Sequence, residues 1–195
     1  MNSSFFVLTN KIFFFLIIFS LLICIFFLPT LSSISSNPIL NNFEIFPSGW
    51  IWPIPGYTTI TSPFGKRNRP TAGASSFHSG MDIGAPEGTN LYAVCDGKIT
   101  FTGFLGAGGY TITLSMDNIK ITYCHVSPIY IVKEGDMIKQ GQLIGNVGPK
   151  YVLGVKGNQY KDSNGNPTNG ATTGPHLHFG VRIDGEYINP MSYFE

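Results

Sequence analysis

The chain has 195 residues, a formal net charge of +1 and only 12% charged side chains. So sparse and balanced a charge argues against a nucleic-acid partner, because phosphate binding needs clustered Lys and Arg. Frequent Gly and Asn, with few long helical patterns, suit a β-rich domain joined by tight turns, and the length suits one domain plus extra segments.

In chain order, the first feature is apolar. Ile12–Leu28 is interrupted only by Ser20 and Cys24. As a helix rising about 1.5 Å per residue the run would span roughly 25 Å, close to the hydrocarbon core of a bilayer at about 30 Å. Residues 1–29 are expected to form a transmembrane anchor, or a signal segment if the exit Leu28-Pro29-Thr30-Leu31-Ser32-Ser33 is cleaved. Lys11 precedes the run and no Lys or Arg follows before Lys66. That asymmetry places the N-terminus in the cytoplasm and the remainder outside it. Residues 30–50, rich in Ser, Asn and Pro, read as a linker, and 51–195 as the folded domain.

Within the domain, Lys66, Arg67 and Arg69 form the one local basic cluster, read either as a solvated loop or as a substrate contact. Cys95 and Cys124 have no framework spacing and read as buried thiols acting as small hydrophobes. Tyr110–Met116 alternates with period two, Asp117-Asn118 supplies a turn, and Ile119–Tyr123 alternates again, a β-hairpin. Asp184-Gly185 marks a second hairpin. The segment from Pro86 to Ile99 loosely echoes the one from Val132 to Gly145, as in the repeated halves of biotinyl and lipoyl carrier domains. A carrier presents its modifiable lysine at a hairpin tip beside Met or Asp-Ala. Neither context occurs, so the likeness extends to architecture alone. Residues 149–172 read as a long inserted loop, expected to wall a substrate groove.

The chain has four histidines. His78 and Asp82 are spaced to share a face, and imidazole with carboxylate suits zinc. In Gly174-Pro175-His176-Leu177-His178-Phe179-Gly180-Val181-Arg182-Ile183, a strand would turn Leu177, Phe179, Val181 and Ile183 to a core. His176, His178, Gly180 and Arg182 would then line the opposite face. His125 follows Tyr123-Cys124, at the end of the second hairpin strand and on the face of Ile119, Ile121 and Tyr123.

Together these motifs resemble the lysostaphin/LytM-type zinc endopeptidases of cell walls, over roughly Trp52 to Pro190. The likeness includes Ser62-Pro63-Phe64-Gly65-Lys66-Arg67, His78-x-x-x-Asp82, Tyr123-x-His125 and His176-Leu177-His178. It implies one zinc ion per chain held by His78, Asp82 and His178, with His125 and His176 free of metal and catalytic. It implies a peptidoglycan peptide as substrate. Bonds between glycines and bonds from D-alanine to a diamino acid both fit. The expected fold is all-β: antiparallel sheets in a barrel-sandwich-hybrid-like domain with an open groove. Three protein ligands leave one tetrahedral position for water, the mark of a catalytic site. No His-Glu-x-x-His motif supplies a glutamate base, so histidine takes that part. The rival reading is a non-catalytic relative that activates a cell-wall amidase; such relatives typically lack metal ligands. Localisation is expected at the bacterial cell membrane, single-pass with the domain outside, or secreted if the N-terminal segment is cleaved. No oligomeric state is specified by these patterns.

The topology is testable. Protease added to intact, wall-stripped cells should degrade the domain if it is anchored, and the medium should contain it if the segment is cleaved. Degradation only after lysis would reverse the orientation.

Overall fold

The computed structural model describes residues 43–195. Its strands are β1 (Ile60–Ser62), β2 (Gly65–Lys66), β3 (Phe77–His78), β4 (Met81–Gly84), β5 (Asn90–Tyr92) and β6 (Gly97–Phe104), then β7 (Tyr110–Met116), β8 (Ile119–Cys124), β9 (Met137–Ile138), β10 (Leu143–Asn146), β11 (His176–Ile183) and β12 (Glu186–Ile188). Two single-turn 3-10 helices occur at Gly106–Gly108 and Pro190–Tyr193, with no α-helix among the described residues. The described residues adopt the expected all-β class. The anchor expected at 1–29 lies outside the described residues. Among those described, no helix is long and apolar enough to cross a membrane.

One antiparallel sheet carries the site, in the order β1-β4-β11-β8-β7-β6-β9, with β12 added to β11. Both expected hairpins form. Asp117 and Asp184 turn them at φ 50°, in the left-handed region that two-residue hairpin turns demand. The two echoing segments pair with each other: β5 with β10, and Gly97 of β6 with Ile138 of β9. The resemblance between them is thus a packed pseudo-duplication at one end of the domain.

Strand β11 shows why the sheet has two chemically distinct faces. Leu177, Phe179 and Val181 are fully buried and join Met81, Ile83, Leu91, Ile112, Leu114, Ile121 and Tyr123 in one core. Phe179 meets Tyr123 edge-on at 5.3 Å. The Tyr123 hydroxyl, buried with it, donates to the Tyr92 carbonyl at 3.2 Å and accepts from the Val94 amide at 3.1 Å, so no polar atom is stranded there. Every second residue of β11 faces the other way, towards a cleft.

The end of the stretch read as linker is packed. Trp50 stacks on Tyr193 at 4.0 Å, Phe46 meets Phe194 at 5.3 Å, and the Ser48 hydroxyl donates to the Tyr193 carbonyl at 2.7 Å. Cys95 and Cys124 are both free and buried. Burial pushes their thiols up to about 12 and about 11, which keeps them protonated and unreactive.

Phe179→Ala should cost about 3–5 kcal/mol, as expected for emptying a fully buried aromatic site. The check is the urea midpoint, which should fall without a change in slope.

Candidate metal and catalytic site

The site is assembled by strand register. His178 on β11 lies opposite Asp82 on β4 and opposite Cys124 on β8. His78 reaches the same point from β3, across the Ser79-Gly80 turn that leads into β4. His78 and Asp82 therefore come from two short strands, and the turn between them brings them together. Three ligand atoms converge. His78 Nε2 lies 3.0 Å from Asp82 Oδ1, His178 Nδ1 lies 2.9 Å from the same oxygen, and the two nitrogens are 2.8 Å apart.

That triangle has donor atoms suited to a metal ion. His78 Nδ1 is 2.9 Å from the Pro63 carbonyl oxygen, which can only accept. Nδ1 thus carries the proton and Nε2 presents a lone pair. A lone pair, a carboxylate oxygen and a second imidazole nitrogen so close together are drawn together by a shared proton or by a cation. Bonds of about 2.0–2.1 Å to a tetrahedral zinc imply ligand separations of about 3.3 Å, only slightly wider than those found. His78, Asp82 and His178, the three ligands that the sequence resemblance implies, are also a group that can hold a metal.

Asp82 is held from its other side. Arg67 donates to Asp82 Oδ2 at 3.1 Å and to the Ser62 hydroxyl at 2.6 Å. Burial opposes the charge on Asp82, but the imidazoles of His176, His178 and His78 gathered around it outweigh that and hold its carboxyl well below the usual carboxylate range. Arg67 was legible only as a member of a basic cluster. Its place beside the carboxylate follows from β1 pairing with β4, which puts Ser62 opposite Asp82.

The other two histidines flank the triangle. His176 Nδ1 donates to the Gly174 carbonyl at 2.8 Å, and its Nε2 lies 3.5 Å from Asp82 Oδ1. Burial disfavours charge on this ring, yet the Asp82 carboxylate raises its pKa overall. His125 Nδ1 donates to the Asn169 carbonyl at 2.7 Å. Burial, with the neighbouring His176 and His178, pushes its pKa down to about 3. The rings of His125 and His176 are 4.7 Å apart.

Simple alternation puts His125 on the core face with Tyr123. The structure places it on the cleft instead. Strand β8 ends at Cys124, and His125 takes φ 58°, a left-handed conformation that turns the ring to the opposite side. Histidine tolerates that region better than most residues, at a cost of about 1–3 kcal/mol. Backbone bonds hold it there: its N–H donates to Gly108 and its carbonyl accepts from Gly148, both at 2.8 Å.

Asn169, fully buried, was not singled out by sequence reasoning. Its side chain accepts from the Tyr110 amide at 2.8 Å and donates to the Val126 carbonyl at 3.0 Å, fixing the carbonyl that orients His125. Only its place in the Thr168-Asn169-Gly170 turn before His176 could have pointed to it. The cleft is about 520 Å³ and includes Arg67, His78, Asp82, His125, His176 and His178. Of the loop at 149–172 only Ala171 lines it, followed by Thr173, Gly174 and Pro175. The rest closes on itself, with Tyr151 donating to Asp162 at 2.9 Å and Asn158 donating to the Thr168 carbonyl at 2.8 Å.

Residues 76–190 match the family model described as Peptidase family M23. The chain belongs to peptidase family M23. It is 36% identical over 137 residues to the DD-carboxypeptidase/endopeptidase Mpg of Neisseria meningitidis, covering 70% of this chain and 27% of that one. The chain thus spans about a quarter of that relative's length. A murein hydrolase activator, NlpD of Salmonella dublin, is 26% identical over 85% of this chain and 36% of its own length. Among solved structures, a zinc-containing peptidase from Vibrio cholerae matches with TM-score 0.57 and 28% identity, covering 76% of this chain and 40% of that one. The catalytic domain of lysostaphin from Staphylococcus simulans matches with TM-score 0.55 and 28% identity, over 70% of this chain and 91% of that domain. The match therefore spans nearly the whole of that lysostaphin catalytic domain.

In this M23 domain Gly80 packs against the His178 ring. A Cβ at Gly80 would lie 2.4 Å from the Phe179 carbonyl oxygen and 2.8 Å from His178 Nε2. Gly80→Ala should therefore displace the ring and weaken metal binding at the triangle by roughly 10–100-fold, the usual scale for losing support of a metal ligand. Competition with a zinc-chelating dye, alongside an unchanged circular dichroism spectrum, would check it.

Proposed function

We propose that the chain is a zinc-dependent endopeptidase that hydrolyses peptide bonds in bacterial peptidoglycan. One observation carries the reading. A convergent His78–Asp82–His178 triangle adjoins two further histidines whose Nδ1 protons are tied to backbone carbonyls, all in one open cleft. Zinc, when bound, supplies a Lewis acid for the scissile carbonyl and lowers the pKa of water. The chain's own residues handle position and protons. Backbone carbonyls of Asn169 and Gly174 fix the tautomers of His125 and His176, leaving each Nε2 able to accept a proton from the attacking water. The protonated ring can then donate to the leaving amine. Arg67 holds Asp82 in place while the buried surroundings keep the histidines from rotating. The peptidoglycan substrate is supported by the named activities of the relatives and by the open cleft, which admits an extended peptide. An anchor at residues 1–29, with Lys11 inside, would deliver the domain to the wall.

The activator reading has support in the likeness to NlpD. The complete ligand set and both free histidines favour hydrolysis, since an activator has no use for a metal triangle with oriented bases beside it.

Asp82→Ala should lose zinc, measured by atomic absorption on purified protein, together with all cleavage of isolated wall. Full zinc occupancy in that variant would refute the ligand assignment. His125→Ala and His176→Ala should keep zinc and lose about 10²–10⁴ in turnover. Wild-type rates in both would show that the proton is handled elsewhere, and amidase stimulation without hydrolysis by the native chain would favour the activator.

A further inference from the structure

A second chemical feature lies on the cleft face of the same sheet, at the far end of β11. Residues directly opposite one another in an antiparallel pair share a face. The register aligns Lys98 on β6 with Ser115 on β7, Ser115 with Lys120 on β8, Lys120 with Arg182 on β11, and Arg182 with Tyr187 on β12. One row across five strands thus carries three cations. Arg182 shares the face of His178, because the two are an even number of positions apart along the strand. Arg182, Tyr187 and Thr122 line the same cleft as the histidines, whereas Lys98 and Lys120 continue the row beyond it.

The row has no acidic partner. Among the described residues none of the three cations has a carboxylate oxygen within 4.0 Å; the ion pairs of the domain involve Arg67, Lys139 and the histidines. Acids near this end are engaged elsewhere or face away. Asp184 accepts from Asn118 at 2.8 Å, and Glu186 lies opposite Ile183 on the other face. Placing Lys120 directly opposite Arg182 destabilises the sheet, since like charges in that position repel. The Arg182 guanidinium is set over the Tyr187 ring at 4.9 Å, which orients its planar fork. An oriented, unpaired guanidinium in a cleft, with a second cation across the strand, is the arrangement that receives an anion. Its fork fits a single carboxylate by paired hydrogen bonds.

We propose that Arg182 is a specificity residue forming an anion subsite with Tyr187 and Lys120, and that this subsite receives a free carboxylate on the substrate peptide. The proposal rests on the reading of the cleft as a peptidase groove. Arg182 lies four positions along the strand from His178, about 13 Å of rise. Allowing for the reach of the arginine side chain, the carboxylate belongs about two to four residues from the scissile bond. The enzyme then prefers peptides that carry a charge there over amidated or uncharged peptides of the same length. A neutral glycine bridge leaves the subsite unused. Arg182 is the one member of the row within the cleft that carries a full charge, so one carboxylate on the bound peptide suits it better than a string of phosphates.

The experiment compares two synthetic wall peptides, identical except for a carboxylate or a carboxamide two to four residues from the cleaved bond, with the zinc-loaded full chain. The acid peptide should be cleaved with a kcat/KM roughly 10–100-fold above that of the amide, the range of a charge-assisted hydrogen bond, and added salt should shrink the ratio. In Arg182→Gln the acid peptide should fall to the rate of the amide, mainly through KM, with zinc content retained. Arg182→Lys should recover part of the preference. Equal rates on the two peptides in the native chain, or a preference that persists in Arg182→Gln, would overturn the subsite and leave the peptidase reading intact. Cleavage of neither peptide, nor of whole wall, by the zinc-loaded native chain would overturn both.

Discussion

The register between β4 and β11 is the constraint on which the rest of the site depends. It sets His178 opposite Asp82 and Leu177 opposite Ile83. A slip of one residue would turn every side chain to the wrong face, burying imidazoles in the core and exposing Leu177, Phe179 and Val181. The apolar face of β11 therefore enforces the geometry of the candidate metal ligands. Burying those three side chains is worth several kcal/mol, at roughly 1.5–3 kcal/mol each, and that stabilisation resists the slip that would separate the ligands. The same strand then carries the cleft face on to Arg182, so one register places the metal triangle, a free histidine and the anion subsite in line.

Around that register the protein uses backbone carbonyls to fix imidazoles. Pro63, Asn169 and Gly174 each receive an Nδ1 proton, from His78, His125 and His176. A carbonyl has no alternative role as donor, so it sets the tautomer without ambiguity, where a hydroxyl or an amide could rotate or flip. The cost appears in the backbone. His125 is held left-handed, and tight contacts exclude a side chain at several neighbouring positions. At Gly109 a Cβ would lie 2.3 Å from the Asn169 carbonyl oxygen, and at Gly148 it would lie 2.2 Å from the Val126 carbonyl oxygen. These glycines let two loops close against His125 from either side.

The two ends of the cleft differ in electrostatic character. At the histidine end His78, His176, His178 and Arg67 surround the carboxylate of Asp82. At the other end the cations of β6, β8 and β11 stand unpaired. Such an asymmetry orients an extended ligand, because a peptide bearing one negative group gains from lying in one direction and not in the other. The inserted loop contributes less to this cleft than its position in the chain suggests: its hydrogen bonds are mostly internal, and its main contribution is the Asn169 carbonyl delivered at its end.

Much of this architecture is written locally. Period-two alternation in Tyr110–Met116 and His176–Ile183, with Asp-Asn and Asp-Gly turns, determines the two hairpins, because alternation and turn chemistry act over a few residues. The same alternation places His176, His178 and Arg182 on one face, residue type makes His78 and Asp82 with one of the two histidines of β11 candidates for zinc, and the family resemblance implies that this one is His178. What the sequence did not determine depends on contacts between residues far apart along the chain. The side of the sheet on which His125 lies was decided by a left-handed backbone, held by Gly108 and Gly148 through bonds that no local pattern records. Arg67 became a partner of Asp82 because β1 pairs with β4, and Asn169 a support for His125 because the inserted loop folds back on itself. The row of Lys98, Lys120, Arg182 and Tyr187 exists only once five strands are set side by side in register. Spacing along one strand is dictated by covalent geometry, whereas neighbours across a sheet are chosen by the packing of the whole domain.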